Sequence, residues 1–246
     1  VFAAGIIPAA LEMMDQTSVR MVEPFAKAGY DTQAAAILLC ESDGSQLEVE
    51  EEIERMSAVL LQAGATSLTV SLDAKERARL WSGRKNAFPA AGRVSPDYYC
   101  MDGTIPRKHL AHVLQRIHEM EQLYGLRCAN VFHGGDANLH LLVLFDANKK
   151  DEFERSELFG TAILELCVEV GGTITGEHGV GMEKINSMCV QFSAAENAMF
   201  WAVKHAFDSL GILNPDKAIP TLQRCAEYGK MHVRAGLLKF ADLPRF

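Results

Sequence analysis

The sequence predicts an α+β fold in which helices pack on one face of an antiparallel sheet. Apolar runs with the spacing of strands alternate with amphipathic segments that have the spacing of helices. The order strand–helix–strand occurs twice in succession, which favours helices segregated to one face of the sheet. The sequence contains no GxGxxG behind a strand and no GxxxxGK(S/T), so the glycine-rich turns that are typical of doubly wound nucleotide-binding folds are missing from it.

The first half of the chain contains five predicted elements and then a loop. Pro8 stands in the first turn of the first helix, and acidic residues gather at the start of the second helix, where the helix dipole favours them. Glycine and proline predict a loop over 89–97. The elements before this loop are a helix over 8–15, a strand over 34–40, a helix over 46–64, a strand over 67–71 and a helix over 74–88.

The second half contains six predicted elements, two of which form a pair of adjacent strands. Pro106 opens the first helix of this half, and Ser193 with Glu196 three residues later gives a capping-box pattern at the start of the last helix, which Gly211 ends. The elements are a strand over 97–102, a helix over 106–124, strands over 128–131 and 141–145, and helices over 149–170 and 193–210.

The segment between the paired strands, residues 132–140, is rich in Gly, Asp and Asn, which tolerate tight turns. It predicts a hairpin with His133 and His140 at the two edges of its turn. Two imidazoles held in this way can face one point in space, as a metal or an anionic substrate requires. Asp136 is expected to bond the backbone of the turn, and Asn138 either does the same or contacts a substrate.

A second polar turn, residues 171–181, places Glu177 and His178 between glycines. We expect this turn to meet the hairpin turn and to complete the wall of an active site. A single histidine is more often structural than functional, but two histidines on one turn beside a Glu-His pair favour a ligand or catalytic cluster. The other histidines have no such setting and are interpreted as surface or core residues: His109, His112, His118, His205 and His232.

Composition narrows the class of protein. The chain of 246 residues has 24 Lys and Arg against 32 Asp and Glu, and the resulting net charge of −8 argues against nucleic acid as a partner. No apolar run approaches the ~20 residues that span a bilayer. The six cysteines are scattered, the chain opens without the basic start and long apolar core of an export signal, and the first residue is not Met. We therefore expect reduced thiols, a cytoplasmic location and a piece of a longer protein.

Four motifs together resemble one family. They are His-x-Gly-Asp-x-Asn-x-His at 133–140, Gly-Glu-His-Gly-Val-Gly at 176–181, Trp-Ser-Gly-Arg at 81–84 and Leu-Asn-Pro-Asp-Lys at 213–217. In combination they resemble the C-terminal domain of FAD-linked oxidases, the vanillyl-alcohol-oxidase-like flavoproteins that act on D-2-hydroxy acids. The tail over 220–233 is most similar to the flavin-carrying subunits of bacterial glycolate oxidases, and the resemblance covers essentially the whole chain.

The resemblance implies a ferredoxin-like substrate domain, or cap, over residues 1–220, with a C-terminal helical segment. This cap closes over the flavin of a separate N-terminal FAD-binding domain, which the chain does not include. Residues 221–246 are expected to form an extension that packs on the domain or on a partner. Further glycolate oxidase subunits are implied, including an iron–sulfur protein, and peripheral contact with the inner membrane would run through them.

Residue roles also follow from the resemblance alone. The implied metal is divalent, usually zinc, and the implied flavin is FAD held mainly by the missing domain. By position, the roles are catalytic base for His178; substrate binding for Arg84 and Asn138; metal binding for His133, His140 and Glu177; and flavin contact for Asn214 and Lys217.

Two positions depart from the family pattern. Ala137 stands where the family usually has Gly, so a turn residue that favours positive φ carries a Cβ at some strain. Cys100 lies near the place where some relatives carry a substrate-binding Lys, and that role is not transferred. Apart from the resemblance, Arg84 is also explained as a basic residue that complements the dipole at the end of a helix.

The chemistry of oxidising a 2-hydroxy acid needs residues of these types. Arg binds a carboxylate in bidentate fashion, a His that titrates near neutrality accepts the hydroxyl proton, and a metal on two imidazoles and a carboxylate keeps a position open for the hydroxyl oxygen. No side chain accepts a hydride, so a cofactor must do so. Three hypotheses stand: the cap of an FAD-dependent glycolate or D-lactate dehydrogenase, a self-contained metallohydrolase, and a non-catalytic ferredoxin-like ligand-binding module.

Overall fold

The structure, a computed structural model, describes residues 1–221. In this part of the chain the strands are β1 (Ala10–Asp15), β2 (Ala36–Glu41), β3 (Asp97–Met101), β4 (Arg127–His133) and β5 (Asn138–Phe145). The α-helices are α1 (Gln16–Ala26), α2 (Gln46–Gln62), α3 (Ala74–Lys85), α4 (Ala87–Val94), α5 (Leu110–Tyr124), α6 (Glu152–Glu169), α7 (Met188–Gln191) and α8 (Ala194–Phe207).

The five strands form one sheet in the order β2-β1-β4-β5-β3, and every neighbouring pair is antiparallel. The predicted α+β class is therefore confirmed. Since β5 lies between β3 and β4, the segment β3–α5–β4 is a split β-α-β unit of the kind found in ferredoxin-like folds. β1 and β2 extend the sheet beyond β4.

The predicted hairpin is confirmed as β4 and β5, with a pairing that runs from Arg127 opposite Leu144 to His133 opposite Asn138. Residues 134–137 form the turn, in which the Ala137 N–H donates to the His133 carbonyl at 3.0 Å. The Asn138 N–H donates to Oδ1 of Asp136 at 2.9 Å, so Asp136 has the predicted local role. His133 therefore stands at one edge of a four-residue turn, as predicted, whereas Asn138 stands at the other edge and His140 lies two residues farther along β5, opposite Val131.

Helices cover both faces of the sheet, which corrects the expectation that they pack on one face only. Phe132, Leu141 and other side chains on one face of the hairpin share a core with residues of α5 and α6. Val131, Leu142 and their neighbours on the opposite face pack with residues of α1 and α4. Every residue of β5 is buried, which is the pattern of a strand covered on both sides.

Three predicted elements were wrong. The expected helix over 8–15 is strand β1, which alternates partly exposed residues with buried Glu12 and Met14. The expected strand over 67–71 is irregular, and its Leu68 and Val70 are exposed. The expected loop over 89–97 is largely α4, which accommodates Pro89 in its first turn because the first helical N–H groups have no intrahelical acceptor.

The predicted C-terminal helical segment is α8, and its capping box is present. The Glu196 N–H donates to Ser193 Oγ at 3.3 Å, and the Ser193 N–H donates to Glu196 Oε2 at 2.7 Å. The extension expected over 221–246 lies, apart from its first residue, outside the described residues.

The described residues can be compared with the expectations about membrane-spanning segments and thiols. Within residues 1–221, no helix combines the length and the hydropathy that crossing a membrane requires. Four cysteines are free thiols, as expected: Cys40, Cys100, Cys128 and Cys167.

Candidate active site

The site lies at the turn end of the sheet face that packs against α1 and α4. Glu12 on β1 pairs with His133 on β4, and His133 pairs with Asn138 on β5. Directly opposite residues in adjacent strands project to the same face, so a carboxylate, an imidazole and an amide form a row across three strands. His140, two residues after Asn138, adds a second imidazole to this face.

The two hairpin histidines and Glu177 converge, as the sequence predicted for the two turns. His133, His140 and Glu177 offer ligand atoms that all lie within 4.8 Å of one another. His140 Nε2 lies 2.6 Å from Glu177 Oε1, and His133 Nε2 lies 3.9 Å from the same oxygen. The ring centroids of the two histidines are 4.9 Å apart.

His178 joins the same cluster from the second turn. Its Nε2 lies 3.6 Å from Glu177 Oε1, and its ring stacks on the His140 ring with centroids 5.1 Å apart. The His178 side chain is 43% exposed, whereas that of His140 is only 6% exposed. His178 therefore presents an imidazole at the open side of the cluster, where a bound substrate could reach it.

Asp102 holds the second turn in place, and sequence reasoning missed this role. Its fully buried Oδ2 accepts hydrogen bonds from the backbone N–H groups of Gly176, Glu177 and His178 at 3.2, 3.0 and 2.7 Å. Lys184, which is also buried, forms an ion pair with Asp102 Oδ1. The predicted end of a strand at 102 was thus the only sequence signal for a residue that positions Glu177 and His178.

Glu12 is a second residue that sequence reasoning missed. Its Oε1 lies 2.7 Å from His133 Nδ1, and its Oε2 accepts from Arg84 Nε at 2.8 Å. Arg84 lies in the last turn of α3 with its side chain 12% exposed, so it points into the site and does not serve only the helix dipole. The structure therefore brings the predicted carboxylate-binding residue close to the predicted metal ligands through one carboxylate.

Asn138 is buried beside the cluster. Its Nδ2 lies 3.4 Å from His140 Nε2, and a Cβ at Gly176 would collide with its side-chain amide. Glycine at 176 therefore allows the second turn to approach the hairpin. The described contacts join the Asn138 side chain to the cluster, and its role in substrate binding stays a prediction.

The structure shows the environment of the two residues that depart from the family pattern, Ala137 and Cys100. Ala137 is fully buried and adopts φ of 60°, the left-handed conformation that the sequence led us to expect at this turn position. Cys100 is a partly buried residue of β3 that pairs with Leu142, and burial raises the pKa of its thiol to about 11. A thiol with so high a pKa is neutral near neutral pH, so Cys100 offers no charge to a substrate carboxylate.

The donor set fits a divalent metal. Burial lowers the pKa of His140 and outweighs the opposing effect of Glu177, so the neutral imidazole that metal ligation needs is favoured. Two imidazoles and a carboxylate are a ligand set that zinc accepts with a position left open. Within residues 1–221, the buried Asn138 Oδ1 beside the cluster has no hydrogen-bond partner, as expected of a polar site that is completed by a bound group.

The two residues predicted to contact flavin lie on the segment after α8. Asn214 is exposed with φ of 48°, and Lys217 lines a pocket together with Trp201 and Lys204. The Ala218 N–H donates to the Gly181 carbonyl at 2.8 Å, which ties this segment to the second turn. The described contacts do not join Asn214 or Lys217 to His133, His140 or His178. The roles expected for Asn214 and Lys217 remain predictions.

Comparison with known sequences gives consistent results. A family model described as "FAD linked oxidases, C-terminal domain" matches residues 1–218. The glycolate oxidase subunit GlcD of Escherichia coli (strain K12) is 60% identical over 246 residues, which are 100% of this chain and 49% of that protein. The glycolate oxidase subunit GlcD of Bacillus subtilis (strain 168) is 37% identical over 217 residues, covering 88% of this chain and 46% of the relative. The chain thus spans about half the length of the curated relatives that it matches.

Comparison with solved structures supports the fold. The 4-ethylphenol oxidase from Gulosibacter chungangensis, solved as an isoeugenol complex, matches with a TM-score of 0.62 at 14% sequence identity. The match covers 87% of this chain and 48% of that one. At this identity the likeness concerns the arrangement of strands and helices alone.

Proposed function

Because the chain belongs to the FAD-linked oxidases, as their C-terminal domain, we propose that it is the substrate-binding cap of an FAD-dependent 2-hydroxy-acid dehydrogenase. The proposed reaction oxidises glycolate or D-lactate to the 2-oxo acid. The observation that carries the proposal is the convergence of His133, His140, Glu177 and His178, with Arg84 tied to the same cluster. Glycolate is the preferred candidate substrate, because both curated relatives reported above are named as glycolate oxidase subunits.

Each side chain has a role in this proposal. Arg84 binds the substrate carboxylate, because a guanidinium is permanently charged and can bind both carboxylate oxygens. His178 accepts the proton of the substrate hydroxyl, for which its partly exposed imidazole is well placed. Asn138 orients the substrate from the floor of the cluster, and Asn214 and Lys217 face the flavin.

Two groups that the chain does not itself supply complete the chemistry. FAD, held mainly by a further N-terminal domain, would accept the hydride. A divalent metal, zinc by the ligand types, would be held by His133, His140 and Glu177 and would stabilise negative charge on the substrate oxygen. The residues of this chain then orient the substrate, exclude water from its buried side and take up its proton.

The proposal extends to partners and location. A glycolate-oxidising enzyme of this kind passes its electrons to further subunits, including an iron–sulfur protein, or to a quinone. We propose a cytoplasmic protein with peripheral contact to the inner membrane through those subunits. The two other hypotheses, a metallohydrolase and a non-catalytic module, gain no support from relatives named as oxidase subunits.

The function is tested on the full-length protein that contains this chain. Under anaerobic conditions, glycolate or D-lactate should bleach the flavin absorbance and reduce an added dye. Acetate, which has no hydroxyl, and L-lactate, which has the opposite configuration, are the matched controls and should leave the flavin oxidised. If no D-2-hydroxy acid reduces the flavin, the proposed activity is wrong.

Metal binding gives a separate expected result. After incubation with zinc and desalting, the full-length protein should retain about one equivalent by elemental mass spectrometry, since three protein ligands form one site. His140→Ala should lose this zinc because it removes one of the two imidazoles. His118→Ala is the control, since His118 is 66% exposed on α5 away from the cluster. Zinc retention by His140→Ala would contradict the assigned ligands.

A further inference from the structure

We propose that Glu12 is a positioning residue that fixes the tautomer of His133 and the orientation of Arg84 at the same time. The inference deepens the proposed function, since it concerns the residues assigned there to metal and carboxylate binding. Glu12 itself touches neither the substrate nor the metal in this proposal. It acts through two neighbours that do.

The geometry makes Glu12 a bridge between two functional side chains. One carboxylate oxygen lies 2.7 Å from His133 Nδ1, and the other accepts from Arg84 Nε at 2.8 Å. The Glu12 side chain is 10% exposed, so few water molecules can replace either partner. Its place opposite His133 in the β1–β4 ladder fixes the carboxylate relative to the imidazole.

The Glu12 carboxylate determines which nitrogen of His133 carries hydrogen. An ionised carboxylate only accepts hydrogen bonds, so the His133 nitrogen that faces it must be Nδ1–H. The lone pair of the neutral ring is then on Nε2, the nitrogen that faces Glu177 at 3.9 Å. Carboxylates that orient metal-binding histidines in this way raise metal affinity by fixing both ring orientation and tautomer.

Arg84 determines how the amide of a Glu12→Gln variant is oriented. A guanidinium cannot act as an acceptor, so the amide oxygen of the new Gln must face Arg84 Nε. The NH₂ group of the amide then faces His133 Nδ1 and donates to it. This arrangement moves the ring hydrogen to Nε2 and removes the lone pair that a metal needs, although all three metal ligands are still present.

The first test is the tautomer of His133 in metal-stripped full-length protein. With ¹⁵N-labelled histidine at mildly alkaline pH, the wild-type ring should show Nδ1–H and an unprotonated Nε2, and Glu12→Gln should reverse the two. His133→Ala identifies the resonances. A wild-type ring with Nε2–H, or the same tautomer in both proteins, would overturn the inference. This readout requires neither metal nor turnover, so it separates failure of the inference from failure of the proposed activity.

The second test is zinc affinity, measured by competition with a chromophoric chelator. Glu12→Gln should bind zinc about 10- to 100-fold more weakly than the wild type, with unchanged FAD content. Glu121→Gln is a matched control, because Glu121 also contacts a histidine Nδ1, that of His118 at 3.0 Å, and accepts from the β4 backbone at Cys128. Equal zinc affinities for the wild type and Glu12→Gln would contradict the positioning role.

Discussion

Replacing His178 by Ala in the full-length protein should lower kcat for glycolate or D-lactate about 10²- to 10⁴-fold, the usual contribution of a general base. The imidazole of His178 lies at the open side of the cluster and is 43% exposed, so it is available to a substrate hydroxyl. The three residues assigned to the metal are unchanged in this variant, and zinc content should therefore stay at the wild-type level. Steady-state kinetics with an artificial electron acceptor gives the measurement.

The control for this substitution is His112→Ala. His112 is an exposed residue of α5, and its replacement should leave kcat within about twofold of the wild type, as expected for a surface change. If His178→Ala kept wild-type turnover with both substrates, His178 would not be the base, and the non-catalytic hypothesis for this cluster would gain weight. Loss of FAD in the variant would instead indicate a structural defect, so the flavin absorbance is recorded for each protein.

Asp102→Asn should destabilise the domain by about 3–5 kcal/mol, the usual cost of leaving a buried ion-pair partner uncompensated. The substitution removes the charge that pairs with the buried Lys184 ammonium. It also weakens the acceptor of three backbone N–H groups in the turn that carries Glu177 and His178. The fall in melting temperature of the full-length protein measures the loss, and zinc affinity should fall with it because Glu177 is no longer fixed.

Two further variants sharpen this expectation. Asp151→Asn removes the partner of Arg155 in an exposed pair within one helical turn, and it should change stability by less than about 1 kcal/mol. Adding Lys184→Met to Asp102→Asn should recover part of the loss, since no buried ammonium then lacks a counter-charge. An Asp102→Asn protein that melts at the wild-type temperature would show that the ion pair and the three hydrogen bonds are dispensable.

The parts of the fold with a clear local pattern were predictable from the sequence. The central hairpin follows from two apolar runs around a turn of Gly, Asp and Asn, and α8 from its capping box. β1 was not predictable in this way, because Ala10–Asp15 is rich in good helix formers and becomes a strand by pairing with β2 and β4. The segment over 67–71 shows the converse, because β-branched residues form no strand where none of the described strands pairs with them.

The residues of the candidate site were likewise predictable only where a local sequence pattern surrounds them. His133, His140, Glu177 and His178 stand in two conspicuous glycine-rich turns, so their types and spacing were enough to predict a cluster. Glu12 and Asp102 could not be found in that way, because each lies in a strand or at its end without a motif around it. Their roles arise from contacts over 121 and 76 residues of sequence separation, to His133 and His178 respectively, which only the folded sheet reveals.

The complete burial of β5 has a consequence for how the site opens. His140 belongs to a ladder covered on both faces, so exposing it requires an opening close in free energy to global unfolding. Glu177 and His178 lie outside the ladder and are held at the backbone by the Asp102 carboxylate. The residues proposed as base and as one metal ligand, His178 and Glu177, thus lie on a turn outside the ladder, whereas His140 lies inside its most buried strand. We therefore expect a metal held as proposed to exchange through movement of this turn, without unfolding of the hairpin.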